Sequence, residues 1–401
     1  MKRREFIQSS ATLAVGTIAG AGGASTIAAA ATPKATVQKY KTVGRTDIKM
    51  SDISFGAGRL NSRALILRAI DRGINYFDTA PDYGKSEIYI GEALKRFRQR
   101  DKIYIASKYC TNGGSGGHLP TGSSKSDYIN AVDASLKRLG TDYLDVVFVH
   151  AMGTDETDFT REKKRLLDDN MLEATESLKK AGKIRYLATS SHGPNNMEKL
   201  LLEAVRSGHF DLIMPAFNFM KFPRVPELLQ EAKQRGVGVV AMKTLAGARD
   251  SGAELEPGKF EQAAFKWVLS HPEVDGLIIS IKSVRHLDDY LPASGGAFAG
   301  VDQQLLDRYA ALHGDEYCRT GCGDCGPGCP EGVDIAAILR YQMYFENYGE
   351  EKRAMLAYAG LEKNAANCLD CADDGCSTSC TYGLDVGAKL RSAHRTLSME
   401  V

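Results

Sequence analysis

The sequence has almost no net charge, and no stretch of it is both long and strongly apolar. Its 401 residues include 51 Lys and Arg against 50 Asp and Glu, for a formal net charge of +1. This balance gives no reason to expect nucleic acid or an anionic membrane as a partner. Residues 11–31 are only weakly apolar and rich in glycine, so no transmembrane span is expected in the mature chain. A chain of this length has room for one large domain and one small one.

Cysteine is scarce over most of the chain. Nine cysteines are present, and eight of them lie between Cys318 and Cys380. Such clustering indicates a local chemical feature of the C-terminal part rather than a general disulfide framework.

The N-terminus reads as a targeting segment. Lys2-Arg3-Arg4-Glu5-Phe6-Ile7 precedes the weakly apolar run, which ends in small residues that suit a cleavage enzyme. This arrangement resembles a twin-arginine export signal. We therefore predict a signal peptide over residues 1–31 and export, in a bacterium to the periplasm. A Sec signal and an uncleaved anchor are the alternatives.

Short apolar runs alternate with helical patterns from residue 53 to about residue 290. Continuous apolar runs are typical of parallel strands that are covered on both faces. Eight βα units over roughly 240 residues match a (β/α)8 TIM barrel. The doubly wound alternative needs a G-x-G-x-x-G turn between strand and helix, and no glycine cluster of this chain fits one.

We therefore predict an α/β fold: a (β/α)8 TIM barrel over residues 32–300, then a small, mostly helical module over residues 301–401 that contains the clustered cysteines. The predicted strands are 53–60, 76–80, 102–109, 144–150, 184–190, 212–218, 238–244 and 276–281. The predicted helices include 64–72, 127–139, 167–180, 197–206, 226–234 and 260–269.

Polar side chains close three consecutive predicted strands: Asp78, Lys108 and His150. Tyr83 lies in the loop beyond the first of these strands. In a barrel, such strand ends converge on one rim. A free phenol has a pKa near ~10, and a nearby ammonium group lowers it. The carboxylate would hold the lysine, and the imidazole would orient a substrate carbonyl.

This set of residues contains no activated nucleophile and no cluster of metal ligands. Cys110, beside Lys108, is expected to be a buried residue at a strand end and not a nucleophile. The expected chemistry is a polarised carbonyl and a proton donor, with the hydride supplied by a cofactor.

The motifs Asp78-x4-Tyr83, Ser107-Lys108 and Val149-His150 resemble the catalytic tetrad of the aldo-keto reductase family, over about residues 40–295. The resemblance implies a reaction between NADP(H) or NAD(H) and a small-molecule carbonyl or alcohol. Tyr83 would be the general acid in reduction, Lys108 and Asp78 would tune it, and His150 would position the carbonyl.

The resemblance also implies a set of cofactor-binding residues. Ser190 and Ser191 would lie near the carboxamide, and Phe217 would stack on the nicotinamide. Met214 stands where the family commonly has a glutamine, so that amide hydrogen bond is missing. The residues expected at the phosphate end are Lys243, Leu245, Gly247, Lys282, Ser283 and Arg285.

The C-terminal cysteines form two sets of four, with the spacings Cys318-x3-Cys322-x2-Cys325-x3-Cys329-Pro330 and Cys368-x2-Cys371-x4-Cys376-x3-Cys380. They resemble ferredoxin-type ligands of two [4Fe–4S] clusters, and some aldo-keto reductase relatives carry such a module. The resemblance implies that Cys380 completes the first set and Cys329 the second, although grouping within each set remains open. Zinc, disulfides and a radical-SAM arrangement are the alternatives.

Together these features predict an exported oxidoreductase whose barrel interconverts a carbonyl and an alcohol and whose clusters relay single electrons, with a redox partner protein. The alternative is a non-enzymatic electron carrier or docking protein that keeps the barrel as a scaffold.

Overall fold

Eight parallel strands close into a barrel that is surrounded by helices. The computed structural model describes residues 34–111, 118–154, 156, 158–220, 224–247, 259–319 and 322–398. From Lys34 onward the chain forms one compact unit. The predicted signal peptide lies outside the described residues.

The strands are β1 (Tyr40–Thr42), β2 (Lys49–Ser51), β3 (Ile53–Gly56), β4 (Tyr76–Asp78), β5 (Tyr104–Lys108), β6 (Leu144–Val149), β7 (Ile184–Ser191), β8 (Leu212–Pro215), β9 (Gly238–Ala241) and β10 (Gly276–Ser280). The helices are α1 (Arg63–Asp71), α2 (Ser86–Phe97), α3 (Lys125–Leu139), α4 (Phe159–Leu166), α5 (Asp169–Lys180), α6 (Met197–Ser207), α7 (Val225–Gln234), α8 (Lys259–Leu269), α9 (Val284–Tyr290), α10 (Gly300–His313), α11 (Ile335–Glu346), α12 (Glu351–Ala359), α13 (Gly375–Thr378) and α14 (Val386–Leu397).

Strands β3 to β10 pair in chain order, and β10 pairs with β3 to close the ring. The predicted TIM barrel is therefore confirmed. Most strands end before the predicted residue, because the chain leaves the barrel ladder to form rim loops. The predicted helix 167–180 is preceded by a separate helix α4, and the Asp168 side chain caps α5 by accepting from the Met171 backbone N–H at 3.1 Å.

An antiparallel hairpin of β1 and β2, which the sequence did not predict, precedes the barrel. Its residues Val43, Ile48 and Met50 are fully buried and join the apolar cluster inside the barrel. The strands are only three residues long, so they carry little periodic signal. The hairpin fills the end of the barrel opposite the carboxyl ends of the strands.

The C-terminal part divides into two by its packing. Helix α10 belongs with the barrel, because Tyr309 stacks on Phe260 of α8 with ring centroids 4.4 Å apart. The later helices enclose an apolar core of their own, which begins at Val333. The boundary predicted at residue 301 thus falls at the start of a helix that packs on the barrel. Among the described residues, no helix has the length and apolarity to cross a membrane.

Glycine at position 44 allows a close approach between the hairpin and the barrel. Gly44 has φ +50°, and a Cβ there would overlap the backbone N of Gly238 and lie 2.6 Å from the Gly236 carbonyl oxygen. Gly208, at φ +77°, has no atom within 4 Å of the same point.

We therefore expect Gly44→Ala to lower the free energy of unfolding by about 1–3 kcal/mol more than Gly208→Ala, since only Gly44→Ala adds overpacking to the cost of a left-handed backbone. Denaturant titration followed by circular dichroism measures the difference. Equal losses in the two variants would contradict this account.

Candidate active site

A buried ion pair lies at the rim, where β4 and β5 end. The Lys108 ammonium donates to Asp78 Oδ1 at 2.7 Å and to the Thr79 carbonyl oxygen at 2.8 Å. Both charged side chains are at most 4 % exposed. Burial raises the pKa of the Asp78 carboxyl, and the Lys108 charge partly offsets that rise.

The other two predicted catalytic residues lie beside this pair. Tyr83 Oη is 3.5 Å from His150 Nε2, and Lys108 Nζ is 4.9 Å from the centroid of the Tyr83 ring. Tyr83 lies in the loop after β4, and His150 directly follows β6. The structure thus brings the side chains of all four predicted residues together at the rim.

The acidity of the phenol is set mainly by its burial. Burial, and then the negative charges of Asp78 and Asp82, raise the pKa of Tyr83 well above its usual value. The Lys108 ammonium faces the ring and donates to Asp78. Burial dominates the pKa of Tyr83, so the phenol keeps its proton at neutral pH, and the lowering expected from Lys108 stays a prediction.

His150 has a second set of neighbours on its Nδ1 side. Cys110 Sγ lies 3.3 Å and Asp82 Oδ2 lies 3.8 Å from Nδ1, and His118 Nδ1 is 3.5 Å from Cys110 Sγ. One ligand atom from each of these four residues lies within 4.8 Å of all the others. Three of these four residues lie outside the tetrad, and nothing in the sequence pattern grouped them. Cys110 and His118 are joined by an isolated antiparallel bridge, which spacing alone did not reveal.

Burial sets the protonation of this group. It lowers the pKa of His118 to about 3 and that of His150 well below its usual value, and it raises the pKa of the Cys110 thiol. At neutral pH both imidazoles are therefore neutral, and the cysteine is a thiol rather than a nucleophilic thiolate.

Three residues predicted to contact the nicotinamide are engaged elsewhere. The Ser190 hydroxyl accepts from the Ala151 backbone N–H at 3.0 Å, and the Ser191 hydroxyl donates to the Met152 carbonyl at 2.6 Å. Phe217 lies between the barrel and α8, where it packs on Trp267 with a centroid distance of 5.1 Å. Stacking of Phe217 on a cofactor is thus contradicted, because the chain turns away from the interior after β8 ends at Pro215.

The loop after β9 lies under the C-terminal helices. Lys243 Nζ is 4.3 Å from the centroid of the Tyr348 ring, and burial lowers its pKa to about 7. The Asn347 side chain donates to the Gly247 carbonyl at 3.1 Å, and Leu245 packs into the adjoining apolar clusters. These three predicted cofactor residues are therefore contacted by the chain's own C-terminal part.

The remaining predicted cofactor residues are open to solvent. Lys282, Ser283 and Arg285 are exposed at the start of α9. The Ser283 hydroxyl caps that helix, and Arg285 pairs with Asp289 at 3.4 Å. An anionic group can approach all three.

Sequence reasoning missed the residues that join the C-terminal helices to the rim. Tyr344 Oη lies 3.0 Å from His192 Nδ1, directly after β7. Arg59, in the loop after β3, donates to the Tyr348 carbonyl and lies 3.7 Å from Glu350. The aromatic spacing of α11 was a signal for a buried face, but nothing in it identified the rim as the partner.

The eight C-terminal thiols fall into two groups, and none of the nine described cysteines forms a disulfide. Cys318, Cys322, Cys325 and Cys380 interact electrostatically with one another, as do Cys329, Cys368, Cys371 and Cys376, and Cys325 also interacts with Cys376. Burial and then the negative charge of neighbouring thiolates raise the pKa to about 12 for Cys318 and about 11 for Cys368. The crossed grouping of ligands that the resemblance implied stays a prediction.

Comparison with known proteins agrees with the barrel and its rim. The profile of the Aldo/keto reductase family matches residues 53–261, just over half of the chain. The chain therefore belongs to the aldo/keto reductase family. It is an oxidoreductase that uses NAD(P)(H).

Individual relatives share only 24–28% of the aligned residues with this chain. L-galactose dehydrogenase of Arabidopsis thaliana is 24% identical over 311 residues, covering 68% of this chain and 94% of that protein. The uncharacterized oxidoreductase YqkF of Bacillus subtilis is 28% identical and covers 64% and 91%. The solved structure of aldo-keto reductase AKR11C1 from Bacillus halodurans is 25% identical, with a TM-score of 0.55, and covers 67% and 95%. About a third of this chain lies outside each of these matches.

The Asp78–Lys108 pair generates a prediction about stability. Lys108→Met leaves the Asp78 carboxylate buried without its partner, so we expect a loss of about 3–5 kcal/mol near neutral pH. The loss should shrink as the pH falls toward the unfolded-state pKa of aspartate, because a protonated carboxyl carries no charge.

The double variant Lys108→Met with Asp78→Asn is the control, since it removes the charge that the single variant leaves unpaired. Denaturant titration at two pH values measures both effects. A double variant no more stable than Lys108→Met would contradict the ion-pair explanation.

Proposed function

We propose that this chain interconverts a carbonyl and an alcohol at the barrel rim with NADP(H) or NAD(H), and that two [4Fe–4S] clusters in its C-terminal part relay electrons. The observation that carries the catalytic half is the 3.5 Å approach of Tyr83 Oη to His150 Nε2 beside the Lys108–Asp78 pair. A nicotinamide bound at the rim supplies or accepts the hydride.

The protein side chains supply the proton, orient the carbonyl and provide positive charge. Tyr83, protonated at neutral pH, donates its proton to the carbonyl oxygen of the substrate during reduction. The Cys110 thiol can donate to His150 Nδ1 at 3.3 Å, which leaves the imidazole proton on Nε2, on the side of Tyr83. Nε2–H then orients the same carbonyl oxygen. Lys108, held by Asp78, supplies positive charge behind the phenol.

The raised pKa of Tyr83 keeps the phenol, the form that carbonyl reduction needs, in place at neutral pH. Reduction needs the phenol, and oxidation of an alcohol needs a proton acceptor. Because Tyr83 holds its proton up to well above pH 10, the reductive rate should show no loss from Tyr83 between pH 6 and 9.

The exposed hydroxyl and cations at positions 282–285 support binding of a cofactor phosphate. Two cations and one hydroxyl suit a 2′-phosphate, which favours NADP(H) over NAD(H). The rest of the dinucleotide would lie against the C-terminal helices, since Tyr348 and Asn347 contact Lys243 and Gly247.

Two groups of four thiols support the cluster half of the proposal. Each group offers the four thiolates that a [4Fe–4S] cluster requires.

Export to the periplasm with a redox partner protein completes the proposal. The twin-arginine pattern supports it, because that route carries proteins already folded around cofactors. The second candidate function is an electron carrier whose barrel is a scaffold. It is favoured by the contacts that the chain's own C-terminal residues make with Lys243 and Gly247, two residues predicted to bind the cofactor.

We expect Tyr83→Phe to lower kcat for carbonyl reduction by about 10²–10⁴-fold, because the variant keeps the ring and loses the proton donor. Steady-state kinetics with a panel of small aldehydes and NADPH or NADH measures the loss. Tyr89→Phe on α2, outside the rim, is the matched control and should retain activity. Equal rates in the two variants, or a wild-type rate that falls between pH 6 and 9, would contradict the assigned role.

Anaerobically purified protein should contain about eight irons and eight acid-labile sulfides per chain, as two [4Fe–4S] clusters require. Two double variants separate the crossed grouping from grouping within each set. In the crossed arrangement, Cys322→Ser with Cys380→Ser damages one cluster and leaves about four irons, whereas Cys322→Ser with Cys329→Ser damages both. The reverse result would support grouping within each set, and zinc without iron would overturn the cluster proposal.

A further inference from the structure

A second polar group lies behind His150, on the side away from Tyr83. It consists of Asp82, Cys110, His118 and His150, which we call the Nδ1 cluster. Each residue offers one donor atom, and the four atoms lie within 4.8 Å of one another. Nothing in the proposed carbonyl chemistry uses His118 or Asp82.

The separations of these donor atoms suit one small cation. Sulfur and nitrogen atoms bound to zinc at about 2.0–2.3 Å in a tetrahedron lie about 3.3–3.8 Å apart. The observed separations are 3.3 Å from Cys110 Sγ to His150 Nδ1, 3.5 Å from Cys110 Sγ to His118 Nδ1, and 3.8 Å from His150 Nδ1 to Asp82 Oδ2. The other three separations are at most 4.8 Å.

The cluster is built on firm elements. Cys110 and His150 follow the neighbouring barrel strands β5 and β6, and the bridge to Cys110 fixes His118. Asp82 lies in the turn before α2, with a side chain only 6 % exposed.

Two of the residues also have unsatisfied polar atoms. Asp82 Oδ1 and His118 Nε2 are buried and have no hydrogen-bond partner. A buried carboxylate with an unpartnered oxygen is costly unless a positive charge lies close by. A cation in the cluster would supply that charge.

We propose that the Nδ1 cluster binds one Zn²⁺ ion, or a cation of similar preference, through Cys110 Sγ, His118 Nδ1, His150 Nδ1 and Asp82 Oδ2. A thiolate and two imidazoles select a borderline-soft cation and disfavour Mg²⁺ and Ca²⁺, which prefer oxygen. On binding, the Cys110 thiol releases its proton to solvent and the sulfur becomes a ligand. Four protein ligands leave no open position, so the ion holds the residues in place and does not bind substrate.

The ion also has a consequence for the proposed reaction, and this consequence rests on the proposed function. With Nδ1 bound to metal, the imidazole proton of His150 stays on Nε2, which faces Tyr83 Oη. The Nδ1 cluster would thus fix the tautomer and the ring orientation that carbonyl binding needs.

Zinc content of the full-length protein with its iron in place tests the binding site independently of turnover. The protein is treated with a chelator until zinc is removed and the iron count is unchanged, and is then titrated with Zn²⁺ and analysed by X-ray absorption. We expect one tightly held zinc per chain with one sulfur and three nitrogen or oxygen neighbours. Four sulfur neighbours would place the ion on the C-terminal cysteines and overturn the proposal.

Ligand variants provide the second arm. His118→Ala and Cys110→Ser should each weaken Zn²⁺ binding by more than about 100-fold, since the loss of an outer-shell partner alone costs about 10–100-fold. His209→Ala, which changes an exposed histidine far from the rim, should bind as the wild type does. If Cys110→Ser fails to fold, Asp82→Asn replaces it. Unchanged affinity in His118→Ala overturns the site, whereas zinc binding without any reductase activity would count against the proposed function alone.

Discussion

The ammonium of Lys108 sits inside the barrel mouth between the Asp78 carboxylate and the Thr79 carbonyl, and the rest of the rim is arranged around it. A buried cation needs nearby negative charge and hydrogen-bond acceptors, and β4 supplies both at its end. The Tyr83 ring lies beside the ammonium. The hydroxyl of that ring is close to the imidazole of His150, which follows β6. One ion pair therefore sets the positions of the groups on which the proposed reduction depends.

The C-terminal helices are part of this rim and not an appendage to it. The Tyr344 hydroxyl lies within hydrogen-bond distance of His192, and the Tyr348 ring packs against the Lys243 ammonium. Arg59 donates to the Tyr348 carbonyl in the turn before α12. Any electron that passes between a nicotinamide and the thiol groups would cross this contact. In the proposed binding mode, a dinucleotide would share this surface with the C-terminal helices.

The fold and the position of the tetrad were predictable because both depend on short-range pattern. Apolar runs mark parallel strands, and a polar residue that ends such a run is placed at the rim by topology alone, as Asp78, Lys108 and His150 illustrate. The acidity of Tyr83 was not predictable, because burial outweighs the lysine and burial is not written in local sequence. Phe217 was misplaced because its orientation depends on whether β8 ends at residue 215 or 218. The contact between His192 and Tyr344 joins residues 152 positions apart, and no sequence pattern in either segment indicates that the two are in contact.

The packing of α10 has a consequence for any attempt to separate or exchange the parts of this enzyme. Tyr309 and Tyr317 cover Phe219 and Phe260, which belong to the barrel and are almost wholly buried. A barrel severed at residue 300 would present these aromatic rings to water and would tend to aggregate. The helix at 300–313 is best regarded as a further outer helix of the barrel, and grafts of the cysteine-bearing region onto other barrels should begin beyond Tyr317.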